Sequence, residues 1–120
     1  MTIERVKNTV YDLQTFVGDS GVVNITNIKN DKTTYTIYME VHGRVDLKKS
    51  IALNGADNCQ FVFSVADTVS LGVGNWDYGI KICDSSVDPV VENTYIPDLR
   101  VGTTAKFVVY PERVEGIVNE

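Results

Sequence analysis

The fold is decided by residues 67 to 80, which read Asp67-Thr68-Val69-Ser70-Leu71-Gly72-Val73-Gly74-Asn75-Trp76-Asp77-Tyr78-Gly79-Ile80. This stretch predicts the end of one strand, a tight corner and a new strand. Trp76, Tyr78 and Ile80 face the same side of that new strand, because side chains alternate along a strand. An aromatic residue at the start of a strand suits the corner of a two-sheet β-sandwich. The sequence therefore predicts a structural corner built from Leu71, Gly74, Trp76 and Tyr78.

The rest of the chain favours β-structure as well. It contains 19 Val, 9 Ile and 11 Thr, against only 4 Ala and 5 Leu. β-branched side chains lose freedom in helices and pack well on a pleated surface. We expect one all-β domain over residues 1–120, which ends in a short tail at 112–120.

Alternation of apolar and polar residues gives the expected strands. About seven to nine strands with Greek-key connections are predicted, as in a β-sandwich. The clearest is 33–41, where Tyr35, Ile37, Met39 and Val41 point inward. Residues 3–16 fit either a helix, by the spacing of Ile3, Val6, Val10 and Leu13, or a strand, which Thr9-Val10-Tyr11 favours; the extended form is preferred. A long irregular connection is expected over 84–100, which contains Pro89 and Pro97. The remaining predicted strands are 22–28, 45–53, 59–65, 76–83 and 103–110.

The charge balance limits the partners that we expect. The formal net charge is −5 and the isoelectric point is near 4.8. Nucleic-acid binding needs a basic face, and a charged membrane patch needs clustered Lys and Arg, so neither partner is predicted. The first seven residues lack the apolar run of a signal peptide, which indicates synthesis and folding in the cytoplasm.

The two cysteines are expected to be free thiols. Cys59 shares a predicted strand face with Phe61 and Phe63, whereas Cys83 lies opposite the apolar face that carries Ile82. If both apolar faces point to the core, the two sulfur atoms point to different sides and cannot bond. Free thiols also agree with a reducing compartment.

No catalytic, cofactor or metal site is predicted. His42 is the only histidine, and its expected place is a solvated hairpin turn, so a cysteine–histidine dyad is improbable. Four acidic residues lie in or beside the predicted long loop, and their oxygens would suit calcium. Their spacing matches no defined calcium loop, so a solvated loop is the better interpretation. These residues are Asp84, Asp88, Glu92 and Asp98.

The corner resembles a pattern in immunoglobulin-like domains of bacteriophage virion and tail proteins: Asp-Thr, then Leu, then Gly-aromatic-x-Tyr. Here these positions are Asp67-Thr68, Leu71 and Gly74-Asn75-Trp76-Asp77-Tyr78. The phage pattern commonly continues with Asp-Ile, whereas this chain has Gly79-Ile80. The resemblance implies an immunoglobulin-like sandwich in a virion, prophage-type particle or tail.

The function implied by the resemblance is that of a non-enzymatic virion structural or accessory protein, at the neck, tail or capsid. It would work by protein–protein contacts, either with other virion or tail proteins or with copies of itself as a homo-oligomer. The expected contact residues are Tyr38, Glu40 and Arg44 on a strand and turn, and Tyr95 and Arg100 in the long loop.

A carbohydrate-binding or adhesion module is the alternative. It would need exposed aromatic residues on a common platform. Trp76 and Tyr78 are better explained as core residues because they share a face with Ile80 and Ile82. Tyr38 and Tyr95 are the aromatics expected to be exposed.

Overall fold

The structure is a computed structural model that describes residues 3–5, 11–26, 28, 34–84, 91–96 and 105–111. These residues form mainly β-structure with one short helix, which confirms the all-β expectation. The elements are β1 (Glu4–Arg5), β2 (Leu13–Phe16), β3 (Gly21–Ile25), β4 (Tyr35–His42), β5 (Asp46–Ala52), β6 (Cys59–Phe63), α1 (Val65–Leu71), β7 (Gly74–Asp84), β8 (Val91–Ile96) and β9 (Lys106–Tyr110).

The strands form one large sheet and one small sheet. The large sheet has the order β1-β2-β9-β7-β4-β5, and β8 pairs with the second half of β7. Its pairs are antiparallel except for β2 and β9, which run parallel. The small sheet is the antiparallel pair of β3 and β6. Strands that are distant in sequence are therefore neighbours in space.

The core forms where the alternating apolar residues of these strands meet. Ile37, Met39 and Val41 of β4 are fully buried, which confirms the predicted inward face of this strand. Phe107 of β9 is also fully buried, and its ring lies 5.2 Å from that of Phe63 on β6. This contact joins the large sheet to the small one, and aromatic pairs at such distances add stability beyond their buried area.

Residues 65–71, which lead into the corner, form a helix. The prediction of an extended chain there was therefore wrong. β6 ends at Phe63, and α1 runs from Val65 to Leu71. Val65, which ends the predicted strand 59–65, is 51% exposed. The helix prevails because its first turn is capped by its own side chains, as described below.

The predicted long irregular connection was also wrong. Val91–Ile96 is strand β8, which pairs with residues 80–84 of β7. Pro89 and Pro97 lie outside this strand on either side, so neither removes a hydrogen bond from its ladder. The pairing shifts register between Ile80 and Lys81, where the ladder is irregular.

The N-terminal segment and the cysteines follow the predictions where the structure describes them. β1 and β2 are extended, and residues 6–10 between them lie outside the described part of the chain. Cys59 and Cys83 do not form a disulfide, and burial raises the pKa of the Cys59 thiol. Among the described residues, no helix is long and apolar enough to cross a membrane.

Candidate contact surface

Helix α1 begins with a capping box. The Ser64 hydroxyl accepts a hydrogen bond from the amide of Asp67 at 3.1 Å, and the Asp67 carboxylate accepts one from the amide of Ser64 at 2.8 Å. Two backbone donors that a helix start would otherwise leave unpaired are thus satisfied. This local arrangement fixes where the helix starts.

A lysine on the neighbouring strand binds the same carboxylate. Lys49 of β5 donates to Asp67 Oδ2 at 2.9 Å, and its ammonium nitrogen lies 5.0 Å from the centroid of the Phe63 ring. Burial acts to raise the Asp67 pKa, but the hydrogen bond from Ser64 and the charge of Lys49 together hold that pKa below its ordinary value. Asp67 is therefore an anchor for the helix and is already engaged.

The buried hydroxyl of Thr68 ties the helix to a distant turn. Thr68 is fully buried, and its Oγ1 accepts from the amide of Gly18 at 3.1 Å and donates to the carbonyl of Asp19 at 2.9 Å. Since both partners belong to the turn between β2 and β3, one side chain fixes the helix against the N-terminal part of the fold.

The C-terminal end of α1 contacts the β4–β5 hairpin. The Arg44 amide donates to the Leu71 carbonyl at 3.0 Å, and the Arg44 side chain crosses directly over Gly72. Gly72 has a φ of +79°, which a residue without a Cβ adopts readily. The Trp76 indole donates to the Gly72 carbonyl at 2.8 Å, so the helix end, the hairpin and the start of β7 meet at one point.

The outer side of this helix is apolar and solvent-exposed. Val65 and Val69 of α1 are 51% and 52% exposed, Val73 just after the helix is 50% exposed, and Val45 in the turn between β4 and β5 is 48% exposed. We call these four residues the valine surface. Single exposed apolar residues need no explanation, but a group of them is typical of a protein contact site.

Of the four predicted corner residues, Gly74 and Trp76 are in direct contact, and Leu71 and Tyr78 are buried. Leu71 is fully buried, and Gly74 lies so close to the Trp76 ring that a Cβ on this glycine would clash with it. Tyr78 is 5% exposed, and its hydroxyl donates to the Tyr11 carbonyl on the N-terminal segment. The contacts of all four residues are internal, so they hold the corner together.

The predicted contact residues are separated by the fold. Tyr38 and Glu40 lie on β4, and Tyr38 is half-buried with the Lys48 ammonium 5.3 Å from its ring centroid. Arg44 is exposed and adjoins the valine surface. Tyr95 lies in β8 and not in a loop, and Arg100 lies outside the described residues.

A second polar group lies beside the turn that joins β4 and β5. His42 Nδ1 is 3.2 Å from Asp46 Oδ1, and His42 Nε2 is 3.8 Å from Glu40 Oε1. One ligand atom from each of the three residues lies within 4.8 Å of the others, so this group could hold a metal ion. Their side chains are 41% to 67% exposed, and ion pairs in such surroundings contribute little to stability.

Asp77 of β7 lies opposite His42 in the sheet and adds a further negative charge there. The Lys106 ammonium donates to its carboxylate, and this bond and charge, with a smaller effect of His42, lower the Asp77 pKa. The Asp77 carboxylate is thus partly neutralised by Lys106.

The structure also separates His42 from the buried cysteine. Cys83 is paired with Thr36, which lies six positions before His42 on β4. At about 3.3 Å per residue, the two side chains are roughly 20 Å apart along the strand. They do not form a dyad.

Of the predicted calcium ligands, Asp84 is buried and accepts a hydrogen bond from Thr34 at 2.8 Å. Glu92 lies in β8, and Asp88 and Asp98 lie outside the described residues.

The sequence reasoning missed the valine surface because it missed the helix. The signal was Ser64-x-x-Asp67 before an apolar run, which is the pattern of a capping box. No known protein family matches this chain, and no curated protein matches it.

Proposed function

We propose that this protein is an immunoglobulin-like β-sandwich that acts without enzymatic chemistry as a structural or accessory component of a phage-type particle. In this role it docks on virion or tail proteins or on copies of itself. The observation that carries the proposal is the exposed, apolar valine surface on a firmly anchored helix.

The strand order supports the finer fold assignment. In immunoglobulin domains, strands C, F and G share one sheet, variable-type domains add C′, and B and E lie in the other sheet. Here β9-β7-β4-β5 has the order G-F-C-C′, and the β3–β6 pair corresponds to B and E. β8 is then an additional strand between F and G. This assignment gives Greek-key wiring.

The corner supports the same assignment. Immunoglobulin-type sandwiches commonly have a tyrosine near the start of strand F whose hydroxyl binds a backbone group. Tyr78 has this position on β7, although its partner is the carbonyl of Tyr11 on the N-terminal segment. The Trp76 bond to Gly72 is a second tie between the corner and the strand that leaves it.

The proposed contact role involves two regions. The first is the valine surface with Arg44 at its edge. The second is the outer face of β4, which presents Tyr38 and Glu40. Tyr95 and Arg100 remain contact residues expected from the sequence alone. Exposed tyrosine and arginine side chains are enriched at protein interfaces.

The test is whether the chain is part of a particle. We expect it to sediment with particles that are purified on a density gradient from the phage or induced strain that encodes it. Mass spectrometry of the gradient fractions measures this, and an abundant soluble host protein serves as the control. If the chain stays with that control in the soluble fractions, the particle role is refuted.

Glycan binding is less well supported. The Trp76 indole N–H is already bound to the Gly72 carbonyl, and Tyr78 is buried. The Tyr78 ring is therefore not accessible to a sugar, and the half-buried Trp76 ring has Gly74 packed against it. A glycan array would detect such an activity directly.

A further inference from the structure

The β4–β5 hairpin places the one histidine of the chain beside two carboxylates. Glu40 and His42 are two positions apart on β4, so their side chains leave the same face of the sheet. Asp46 is the cross-strand partner of His42 on β5 and shares that face. His42 Nδ1 is 3.2 Å from Asp46 Oδ1, and His42 Nε2 is 3.8 Å from Glu40 Oε1. The pairing of the two strands thus brings together three side chains of the types that ligate metal ions in proteins.

The two carboxylates can accept a cation from solution. Among the described residues, no lysine or arginine forms an ion pair with Glu40 or Asp46. Their contacts with His42 are exposed, and ion pairs in such surroundings contribute little to stability. A metal ion can therefore replace these contacts with little loss of stability.

The cations at neighbouring positions are directed to other partners. Lys48 of β5 has its ammonium nitrogen 5.3 Å from the centroid of the Tyr38 ring. Arg44, in the turn, crosses over the C-terminal end of α1. Lys106 is bound to Asp77 on the next strand of the sheet. None of these three cations is paired with the carboxylates beside the histidine.

The ligand types select the class of metal ion. An imidazole nitrogen suits zinc, copper and nickel, whereas calcium and magnesium take oxygen ligands. Zinc binds nitrogen and carboxylate oxygen at about 2.0–2.2 Å, which places the ligand atoms of a tetrahedral site about 3.3 Å apart. Here one ligand atom from each residue lies within 4.8 Å of the others. Since the three side chains are 41% to 67% exposed, rotation about their own bonds can close this difference.

We propose that Glu40, His42 and Asp46 form a solvent-open binding site for a divalent transition-metal ion such as zinc. The three residues supply three ligand atoms, and water completes the coordination. The site departs from the sequence-based expectation of no metal site, which weighed only clusters of several histidines and the acidic residues of the long loop. Strand pairing, and not sequence spacing, assembles these ligands.

The affinity is expected to be in the micromolar range. The site has one ligand fewer than a structural zinc site, and it lacks a buried shell that would hold the ligands in position. A bound ion ties β4 to the start of β5 across their turn. We therefore expect zinc to raise the Tm of the chain in a concentration-dependent way, because the ligands are brought together only in the folded state.

Nuclear magnetic resonance of the His42 imidazole tests the site directly, because the chain has no other histidine. Zinc chloride is titrated into the full chain, and the nitrogen shifts of the ring are followed. We expect a saturable change that a chelator reverses, and no comparable change with magnesium chloride. An ion bound at the Cys59 thiol or at distant acidic residues would leave these shifts unchanged.

Two variants remove the carboxylates and keep the histidine as the reporter. Glu40→Gln and Asp46→Asn are each expected to weaken zinc binding at least about tenfold. Asp57→Asn is the matched control, because it makes the same charge change at an exposed position beyond the other end of β5. Its affinity for zinc is expected to equal that of the wild type. Urea unfolding verifies that all three variants fold.

Three results would overturn the proposal. The first is no change in the ring shifts up to about 1 mM zinc. The second is an equal response to magnesium, which indicates an ordinary acidic patch. The third is a loss of affinity in Asp57→Asn as large as in the two ligand variants, which indicates binding by overall charge. Weakening by only one of Glu40→Gln and Asp46→Asn overturns the three-ligand arrangement.

Discussion

Substituting Tyr78 with Phe removes one hydroxyl from the corner and changes little else. The ring of Tyr78 is 5% exposed and packs edge-on against Phe107, with the ring centroids 6.4 Å apart. Its hydroxyl donates to the Tyr11 carbonyl, which lies 67 positions away in the sequence. Phe keeps the ring and its packing, so the change isolates the hydrogen bond that ties β7 to the N-terminal segment.

The expected cost follows from the group that is left behind. A buried carbonyl without its donor costs about 1–3 kcal/mol, and partial access of water to Tyr11 favours the lower half of this range. We therefore expect Tyr78→Phe to lower the free energy of unfolding by about 1–2 kcal/mol. For a domain of this size, that corresponds to a decrease of roughly 4–12 °C in Tm.

The same hydroxyl makes the effect depend on pH. Burial, and then the neighbouring Asp12 and Tyr11, raise the pKa of Tyr78 above its ordinary value. Because the folded state keeps this proton more tightly than the unfolded state, the contribution to stability is complete below the unfolded pKa of about 10. It is lost as pH rises from there through the folded pKa. The difference between wild type and Tyr78→Phe should therefore shrink above about pH 10.

Urea unfolding at about pH 7, 9 and 11 measures both effects. Tyr38→Phe is the control, because Tyr38 is half-buried on the outer face of β4 and its ring contact with Lys48 does not use the hydroxyl. We expect this control to stay within about 0.5 kcal/mol of wild type at every pH. If Tyr78→Phe costs no more than Tyr38→Phe, or if its cost is the same at all three pH values, the reasoning about the corner is refuted.

Three further substitutions test the attachment of the helix by urea unfolding. Thr68→Val should lower the free energy of unfolding by about 1–3 kcal/mol, because it leaves the Gly18 amide and the Asp19 carbonyl without their partner. Thr68→Ser retains the hydroxyl and is the control; a smaller loss for Thr68→Val than for Thr68→Ser would contradict this. Asp67→Asn should cost about 1 kcal/mol at neutral pH by weakening the cap. The pKa of Asp67 is lower in the folded state than in the unfolded state, so this cost is present above the unfolded pKa of about 4. It should vanish as the pH falls through the folded pKa of Asp67, and a cost that is unchanged at low pH would refute the prediction. Gly72→Ala should lower the free energy of unfolding more than Gly18→Ala does. Both glycines have a positive φ, but of the two only Gly72 has a side chain, that of Arg44, where a Cβ would lie. Equal losses in the two variants would count against that clash.

Strand positions could be predicted where alternation was strict and both neighbours were strands. Ile37, Met39 and Val41 alternate with polar residues, and β4 lies between β5 and β7 in the sheet. β9 behaves in the same way, since Phe107 and Val109 face the core. In both strands the residue pattern and the tertiary surroundings demand the same conformation.

The helix could not be found from composition. Val65, Thr68 and Val69 are β-branched and favour a strand by intrinsic preference. Two contributions override that preference: the capping box at the start of the helix, and the burial of Thr68 and Leu71 on one face three residues apart. The first was visible in the sequence as Ser64-x-x-Asp67, whereas the second depends on the distant turn that Thr68 binds.

β8 was missed because the two prolines were taken to exclude any strand. Pro89 and Pro97 are eight positions apart, which leaves room for a strand between them. Val91–Ile96 occupies that space and pairs with β7. A proline forbids a strand only where its own missing N–H would be needed in the ladder.

The candidate surface was only partly within reach of the sequence. Arg44 was predicted as a contact residue, and it adjoins the valine surface. The valines themselves were assigned to a strand end or a corner, and their exposure follows only once α1 is known to be a helix. Which side of a short helix faces outward is decided by the residues that anchor it, and here those are Thr68 and Leu71 on the inner side.

The anchoring of α1 bears directly on how well its outer face can bind. The helix is held by the Ser64 cap, by Lys49 through Asp67, and by the turn that Thr68 binds. Association is weakened whenever a surface must first be ordered, so a surface fixed before contact loses less conformational entropy on binding. A short helix of β-branched residues has little stability by itself. The apolar face is therefore presented only because three separate parts of the chain hold the helix in place, and loosening any of these attachments should weaken association even though no residue of the face is changed.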